Sequence, residues 1–250
     1  MLTPEIAEIL PYILIGFIAQ LIDGALGMAY GVTASSMLLG AGVPPVVTSA
    51  TVHAAECFTT GISAASHRAF GNIDREQFKR LLLPGILGAA LGAYLLTRLS
   101  GDALKPWIAA YLLLMGVVII AKAFREIPSR RVTSHLAPLG IVGALVDALG
   151  GGGWGPIVAS NLMARGNGFR MTVGTVNAVE FFVTLTASLV FLITLGLATW
   201  TLIAGLALGG ALAAPLGAYM VSRMRPKPFQ VMVGLLVVVL SLRTLWKSLA

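Results

Sequence analysis

From Phe181 to Ser222 the chain carries no Asp, Glu, Lys or Arg. An uncharged run of that length is long enough to cross a bilayer twice, at about 20 residues per crossing of the hydrocarbon core. Shorter uncharged stretches at 81–97, 106–121, 148–164 and 228–242 repeat the pattern. Charged residues make up 11% of the 250 residues and hydrophobic ones 57%, well away from the roughly 25% charge of soluble domains. These features predict an all-α polytopic membrane protein.

Ahead of its first apolar run the N-terminus, MLTPEIAEILPYIL, has Glu5 and Glu8 but no basic residue. It therefore reads as a retained helix rather than a cleavable signal peptide. The single cysteine, Cys57, supports neither a disulfide framework nor a cysteine metal site. The net charge of +7 is concentrated between apolar segments, in HRAFGNIDREQFKR (67–80), KAFREIPSRR (122–131) and SRMRPKP (222–228). Loops that stay in the cytoplasm look like this, so the charge calls for no nucleic-acid partner.

Shifting the sequence against itself by 124 residues, the interval from Asp23 to Asp147, exposes an internal duplication. Gly16 falls on Gly140, Gly27 on Gly151, Gly31 on Gly155, Ser36 on Ser160, Thr51 on Thr175, Glu56 on Glu180 and Thr60 on Thr184. The chain thus divides into a first transmembrane repeat, 1–125, a cytoplasmic linker, 126–131, and a second repeat, 132–250. Each repeat opens on a long glycine-interrupted segment (9–41; 136–164). Three plainer helices follow, near 47–67, 78–98 and 104–123 in one half and 170–195, 199–222 and 229–247 in the other. If each interrupted segment turns back as a hairpin, the loops at 67–80, 122–135, 165–170 and 222–228 all lie inside. Only Arg243 and Lys247 then break the charge rule. An odd net number of crossings per half gives the two repeats opposite orientation. Carriers built as inverted repeats place their binding sites at mid-membrane, where interrupted helices meet.

The stretch GIVGALVDALGGGGWGPIVAS (140–160) shows what such an interruption needs. Consecutive glycines let the backbone leave helical geometry at low steric cost, and unwound backbone at membrane depth is tolerated only against protein or a wet cavity. Ionisable side chains at that depth cost a few kcal/mol, which singles out Asp23, Glu56, Asp147 and Glu180. The two aspartates sit where they can bind the free N–H groups of each break. His53 and Glu56 share a helix face, with Asn177 and Glu180 at the matching places. If Glu56 and Glu180 approach each other, repulsion between them favours sharing a proton, with His53 as a second acceptor. The helix starts after each break offer N–H donors and a partial positive charge to a small anion. Those starts comprise Gly27 and Gly31 in one half and Gly151, Gly152, Gly153 and Trp154 in the other. Ser35, Ser36, Thr51, His53, Ser160, Asn161, Thr175 and Asn177 would add donors, although such residues also hold membrane helices together. GGGGWG lacks the Gly-Lys-Ser/Thr of a nucleotide loop, HExxH is absent, and no nucleophile with an adjacent base is evident. The chain does not read as an enzyme, and no cofactor or metal ion is expected.

The pair of glycine-broken segments, the SATVHAAE element, HRAFGNID after the following helix and the second-half echo TLGLATW resemble the TauE/SafE sulfite and organosulfonate exporter family. That resemblance implies a multi-pass protein of a prokaryotic cytoplasmic membrane that moves sulfite or short sulfonates, coupled to protons. His53, Glu56 and Glu180 stand where many members carry small or aliphatic residues. Substrate would sit near 27–36 and 151–161, with Glu56, Glu180 and His53 taking protons. A cation or metal-ion exchanger that uses the four carboxylates is the alternative. The repeated Gly88-to-Gly92 and Gly205-to-Gly209 spacings could pack helices within one chain or in a homodimer.

Overall fold

The computed structural model describes residues 4–26, 29–99, 101–124, 131–196, 200–223 and 226–249. It is 87% helical, with no strand among the described residues. In chain order the helices are α1 (Pro4–Leu26), α2 (Tyr30–Gly40), α3 (Pro45–Ala69), α4 (Arg75–Arg98), α5 (Gly101–Lys122) and α6 (Leu136–Gly150). After a π-helical turn (Gly155–Ala159) come α7 (Ser160–Ala164), α8 (Phe169–Leu195), α9 (Trp200–Arg223) and α10 (Pro226–Leu249). Among the described residues three spans, Arg75–Arg98, Ala103–Ala121 and Met171–Leu195, are long and apolar enough to cross a membrane. The linker 126–131 lies almost wholly outside the described residues.

Helix α4 shows how the bundle is sorted. Gly85, Gly88, Ala89, Gly92, Ala93 and Leu96 are buried, while Leu83, Leu87, Leu91 and Tyr94 are exposed. The small residues thus face protein and the bulky apolar stripe faces outward, as lipid-immersed packing requires. The Gly88 and Gly92 faces lie directly on the backbone of α6 at Ile141 and Leu145. Gly205 and Gly209 of α9 do the same against Tyr12 and Ile13 of α1. Both glycine spacings are therefore used within the chain, each docking the fourth helix of one half on the opening helix of the other. Helix α3 packs on α8 and α5 on α10, so every main partner comes from the other half.

Helix α2 is buried nearly all round, including Val32, Thr33, Ala34, Ser35 and Ser36, as expected of a helix inside the bundle. One end of the molecule is fastened by polar contacts. Asp74 caps α4 by accepting from the N–H groups of Glu76 and Gln77, and its carboxylate receives Arg131 at 2.8 Å. Gln77 donates to Val132 O and to Asn167 Oδ1, both at 2.8 Å, and Arg165 reaches Ser134 O at 2.8 Å. The segments near 74, 131–134 and 165–167 therefore share one end.

Candidate functional site

The second break is built by Asp147 and the glycines that follow it. Gly151, Gly152 and Gly153 adopt φ of 72°, 149° and 152°, which side-chain-bearing residues rarely tolerate. The backbone carbonyl of Asp147 accepts from Gly152 N at 3.0 Å. Its carboxylate Oδ1 accepts from Trp154 N at 2.9 Å. Asp147 thus ties together both lips of the break. The first break repeats the device: Asp23 Oδ1 accepts from Ala29 N at 2.7 Å and from Tyr30 N at 3.2 Å. In each half the aspartate reaches the amide seven residues on. Gly27 lies outside the described residues.

The two breaks meet. A Cβ placed on Gly31 would lie 2.6 Å from Gly152 Cα and 2.9 Å from Glu56 Oε1, so the backbones touch with no room for a side chain. Ser35 donates its hydroxyl to Gly151 O, Ser49 donates to Ala148 O at 2.6 Å and Tyr111 donates to Gly152 O at 3.2 Å. Tyr30, which follows the first break, donates to Leu206 O at 3.3 Å. The carbonyls freed by unwinding are thereby paired, as buried backbone groups must be.

His53 lies beside this junction with its side chain fully buried, and its Nε2 stands 3.1 Å from Asp147 Oδ2. Its Nδ1 is 2.8 Å from the carbonyl oxygen of Ser49. A carbonyl only accepts, so Nδ1 carries a hydrogen. With a neutral ring Nε2 would then be a bare acceptor facing a carboxylate oxygen. Nδ1 also lies 3.3 Å from Ser49 Oγ, and Nε2 and Asp147 Oδ2 stand close enough to share a hydrogen.

Glu56 is buried one turn further along α3, and its Oε2 has no hydrogen-bond partner among the described residues. Its carboxylate lies within electrostatic reach of Glu180, Asp147 and Asp23. The structure thus gathers all four intramembrane carboxylates, from α1, α3, α6 and α8, around the crossing of the breaks. Among the described residues no three His, Cys, Asp or Glu side chains converge tightly enough to hold a metal ion.

Other sequence candidates divide. Ser36 and Thr51 are buried with hydroxyls unpaired among the described residues. Trp154 is fully buried, its indole N–H donating to Val176 O at 3.1 Å and its ring lying against Gly85 of α4. Thr175 accepts from Asp74 N at 2.8 Å, which places it towards the fastened end of the bundle. Asn177 donates to Ser63 Oγ at 2.9 Å rather than towards either break. Asn161 is exposed, and the Ser160 side chain lies outside the described residues. Ser49, Tyr30 and Tyr111 were not foreseen. Tyr30 had a signal, since it aligns with Trp154 in the duplication, and Ser49 stands one helical turn before His53. Tyr111 had none.

The family model "Sulfite exporter TauE/SafE" matches residues 12–244. The chain is 41% identical to the probable membrane transporter protein YtnM of Bacillus subtilis (strain 168), over 95% of this chain and 83% of the relative. A shorter match, 35% identical over 36% of this chain and 34% of the relative, is to the probable membrane transporter protein ORF9 of a Sinorhizobium species. No solved structure matches.

Proposed function

Starting from the chain's membership of the sulfite exporter TauE/SafE family of membrane transporters, we propose that it is a proton-coupled secondary carrier exporting a small sulfur-containing anion across a prokaryotic cytoplasmic membrane. Sulfite or a short organosulfonate is the cargo. Its two repeats, 1–125 and 132–250, face opposite ways, with 126–131 a cytoplasmic linker. The fastened end carrying Asp74, Arg131 and Arg165 is the cytoplasmic one. The exchange of partners between halves, α1 on α9 and α6 on α4, supports this arrangement.

The observation that carries the reading is the crossing of two unwound helices beside the hydrogen-bonded His53–Asp147 pair. The N–H groups that would bind an anion, those of Tyr30 and Trp154, are held by Asp23 and Asp147. An anion entering between the breaks competes with those carboxylates. Without its proton the His53–Asp147 pair carries a net negative charge and repels the anion; with it the pair is neutral. The same holds for Glu56 and Glu180. Anion and proton therefore favour each other's binding, and by linkage the coupling is reciprocal. A sulfite dianion leaving with one proton carries one net negative charge outward. An inside-negative potential drives that at about 2.3 kcal/mol per 100 mV. Gly31 and Gly151–Gly153 serve as hinges, and Ser35, Ser36, Thr51, Ser160, Asn161, Thr175 and Asn177 are candidate donors along the route.

Sulfite efflux from proteoliposomes tests this. A Glu56→Gln/Glu180→Gln variant is expected to lose the pH dependence of the flux while sulfite remains bound. Unchanged sulfite and sulfonate flux across pH would remove the two glutamates from the relay. The unpaired Oε2 of Glu56 favours one second reading, a cation exchanger. Calorimetric binding of a divalent cation, lost in Asp23→Asn and Asp147→Asn, would establish it in place of the anion carrier.

A further inference from the structure

At the end of the bundle opposite Asp74, a cavity of about 510 Å³ is lined by Lys105 of α5 and by Arg243 and Lys247 of α10. Its floor includes Ile15, Met37 and Leu240. Arg243 and Lys247 lie at the end away from the basic loops, and here they converge with Lys105. None of the three is held in an ion pair among the described residues. Arg98, at the same end, is by contrast engaged over the Tyr94 ring at 5.2 Å. A cavity of this size falls in the range of small-molecule sites, and three cations over an apolar lining suit a ligand with an anionic head and a hydrocarbon body. The cavity borders the outward face of α10, where Trp246 is 77% exposed, the kind of aromatic that settles at a membrane interface.

We propose that this cavity binds an anionic phospholipid, with the phosphate among Lys105, Arg243 and Lys247 and the glycerol and upper acyl carbons over Ile15, Met37 and Leu240. A free oxyanion would satisfy the cations but leave the apolar floor facing water. The lipid satisfies both, and basic pockets between transmembrane helices recognise lipid head groups in this way. The site stands independently of the cargo. Only its placement in the outer leaflet rests on the orientation proposed above.

Binding of a soluble short-chain phosphatidylglycerol to the purified full-length protein in neutral detergent tests the proposal, with phosphatidylcholine of equal chain length and sodium phosphate as comparisons. Each Lys or Arg near an anionic head contributes roughly fivefold in affinity. The Lys105→Gln/Arg243→Gln/Lys247→Gln variant is therefore expected to bind phosphatidylglycerol about 100-fold more weakly. Arg80→Gln, at the other end, is expected to leave the affinity unchanged. If the triple variant fails to fold, Arg243→Gln alone is expected to lose about fivefold. Equal affinity for phosphatidylcholine, or phosphatidylglycerol affinity unchanged in these variants, overturns the site. Phosphate binding as tightly as the lipid and being lost in the same variants would make it a site for free oxyanions and overturn the lipid assignment.

Discussion

Replacing Asp147 by asparagine and by alanine separates what its carboxylate does for the fold from what it does for protons. In the native protein Oδ1 accepts from Trp154 N at 2.9 Å and Oδ2 faces His53 Nε2 at 3.1 Å, with both side chains almost fully buried. Asparagine can keep both contacts. Its carbonyl accepts from the Trp154 N–H, and its NH2 donates to Nε2 of a neutral His53 whose Nδ1 hydrogen stays on Ser49 O. Only the charge assistance is lost, about 1 kcal/mol. Alanine leaves two buried polar groups unpaired at about 1–3 kcal/mol each, in the range of about 3–5 kcal/mol for a broken buried pair. For a chain of this size 1 kcal/mol moves the melting temperature by about 2–4 °C. Alanine should then lower it by roughly 6–20 °C and asparagine by only a few degrees. In proteoliposomes the asparagine variant, which cannot carry the shared proton, is expected to move sulfite without pH dependence. A melting temperature for alanine equal to that of asparagine would mean that Asp147 does not hold the break. Retained pH dependence in the asparagine variant would mean that the proton is not on this pair.

The remaining predictions concern backbone and surface. Gly152→Ala forces a Cβ into the Gly31 backbone at a φ of 149° and is expected to abolish folded yield by size-exclusion chromatography. Gly71→Ala, at a φ of 66° with open space around it, meets no such obstacle and should cost only about 1–2 kcal/mol of backbone strain. At the fastened end, Asp74→Ala removes a helix cap and is expected to cost about 0.5–2 kcal/mol. The hydrogen bond from Arg131 holds the Asp74 carboxyl below its ordinary range. A depressed value means that this stabilisation is complete above the ordinary carboxylate range and is lost as pH falls through the lower folded-state value. Thermal melts of Asp74→Ala and the native protein should therefore converge at acid pH, and a gap that persists there would show that the carboxylate's charge plays no part.

Most helices were legible because an uncharged run bounded by basic loops has one physical outcome in a bilayer. Helix α4 ends at Arg98, where the charge resumes, and α8 ends just before Gly196, which takes a φ of 72°. Helix α1 begins earlier than hydropathy suggests, since Pro4 suits a first helical position and Glu5 and Glu8 look polar to any apolar scan. The breaks were legible for a local reason: four successive glycines after an aspartate have no role in a regular helix. What joins the two breaks was not, because pairing His53 with Asp147 depends on how α3 docks against α6, 94 residues away in sequence. The same limit applies to Thr175. From sequence it is one more hydroxyl beside a break, and only tertiary packing turns its oxygen to the amide of Asp74.

The duplication also fixes where its two copies must differ. Asp23 and Asp147 perform the same act, each accepting from the amide seven residues on, and Glu56 and Glu180 keep the same charge in both halves. His53 and Asn177 do not match. A carboxylamide has no second protonation state near neutral pH, and Asn177 donates to Ser63, away from either aspartate. A symmetric scaffold would offer two equivalent proton sites flanking one anion path. Placing histidine in one half alone makes the His53–Asp147 pair single and, among the described residues, leaves Asp23 bound by the backbone amides of Ala29 and Tyr30. The carrier proposed above, switching between two faces around one cargo, would gain from this asymmetry. On the proposed proton-coupled reading, the pair joins α3 of the first half to α6 of the second, so a rocking of one half against the other would stretch the hydrogen bond between His53 and Asp147.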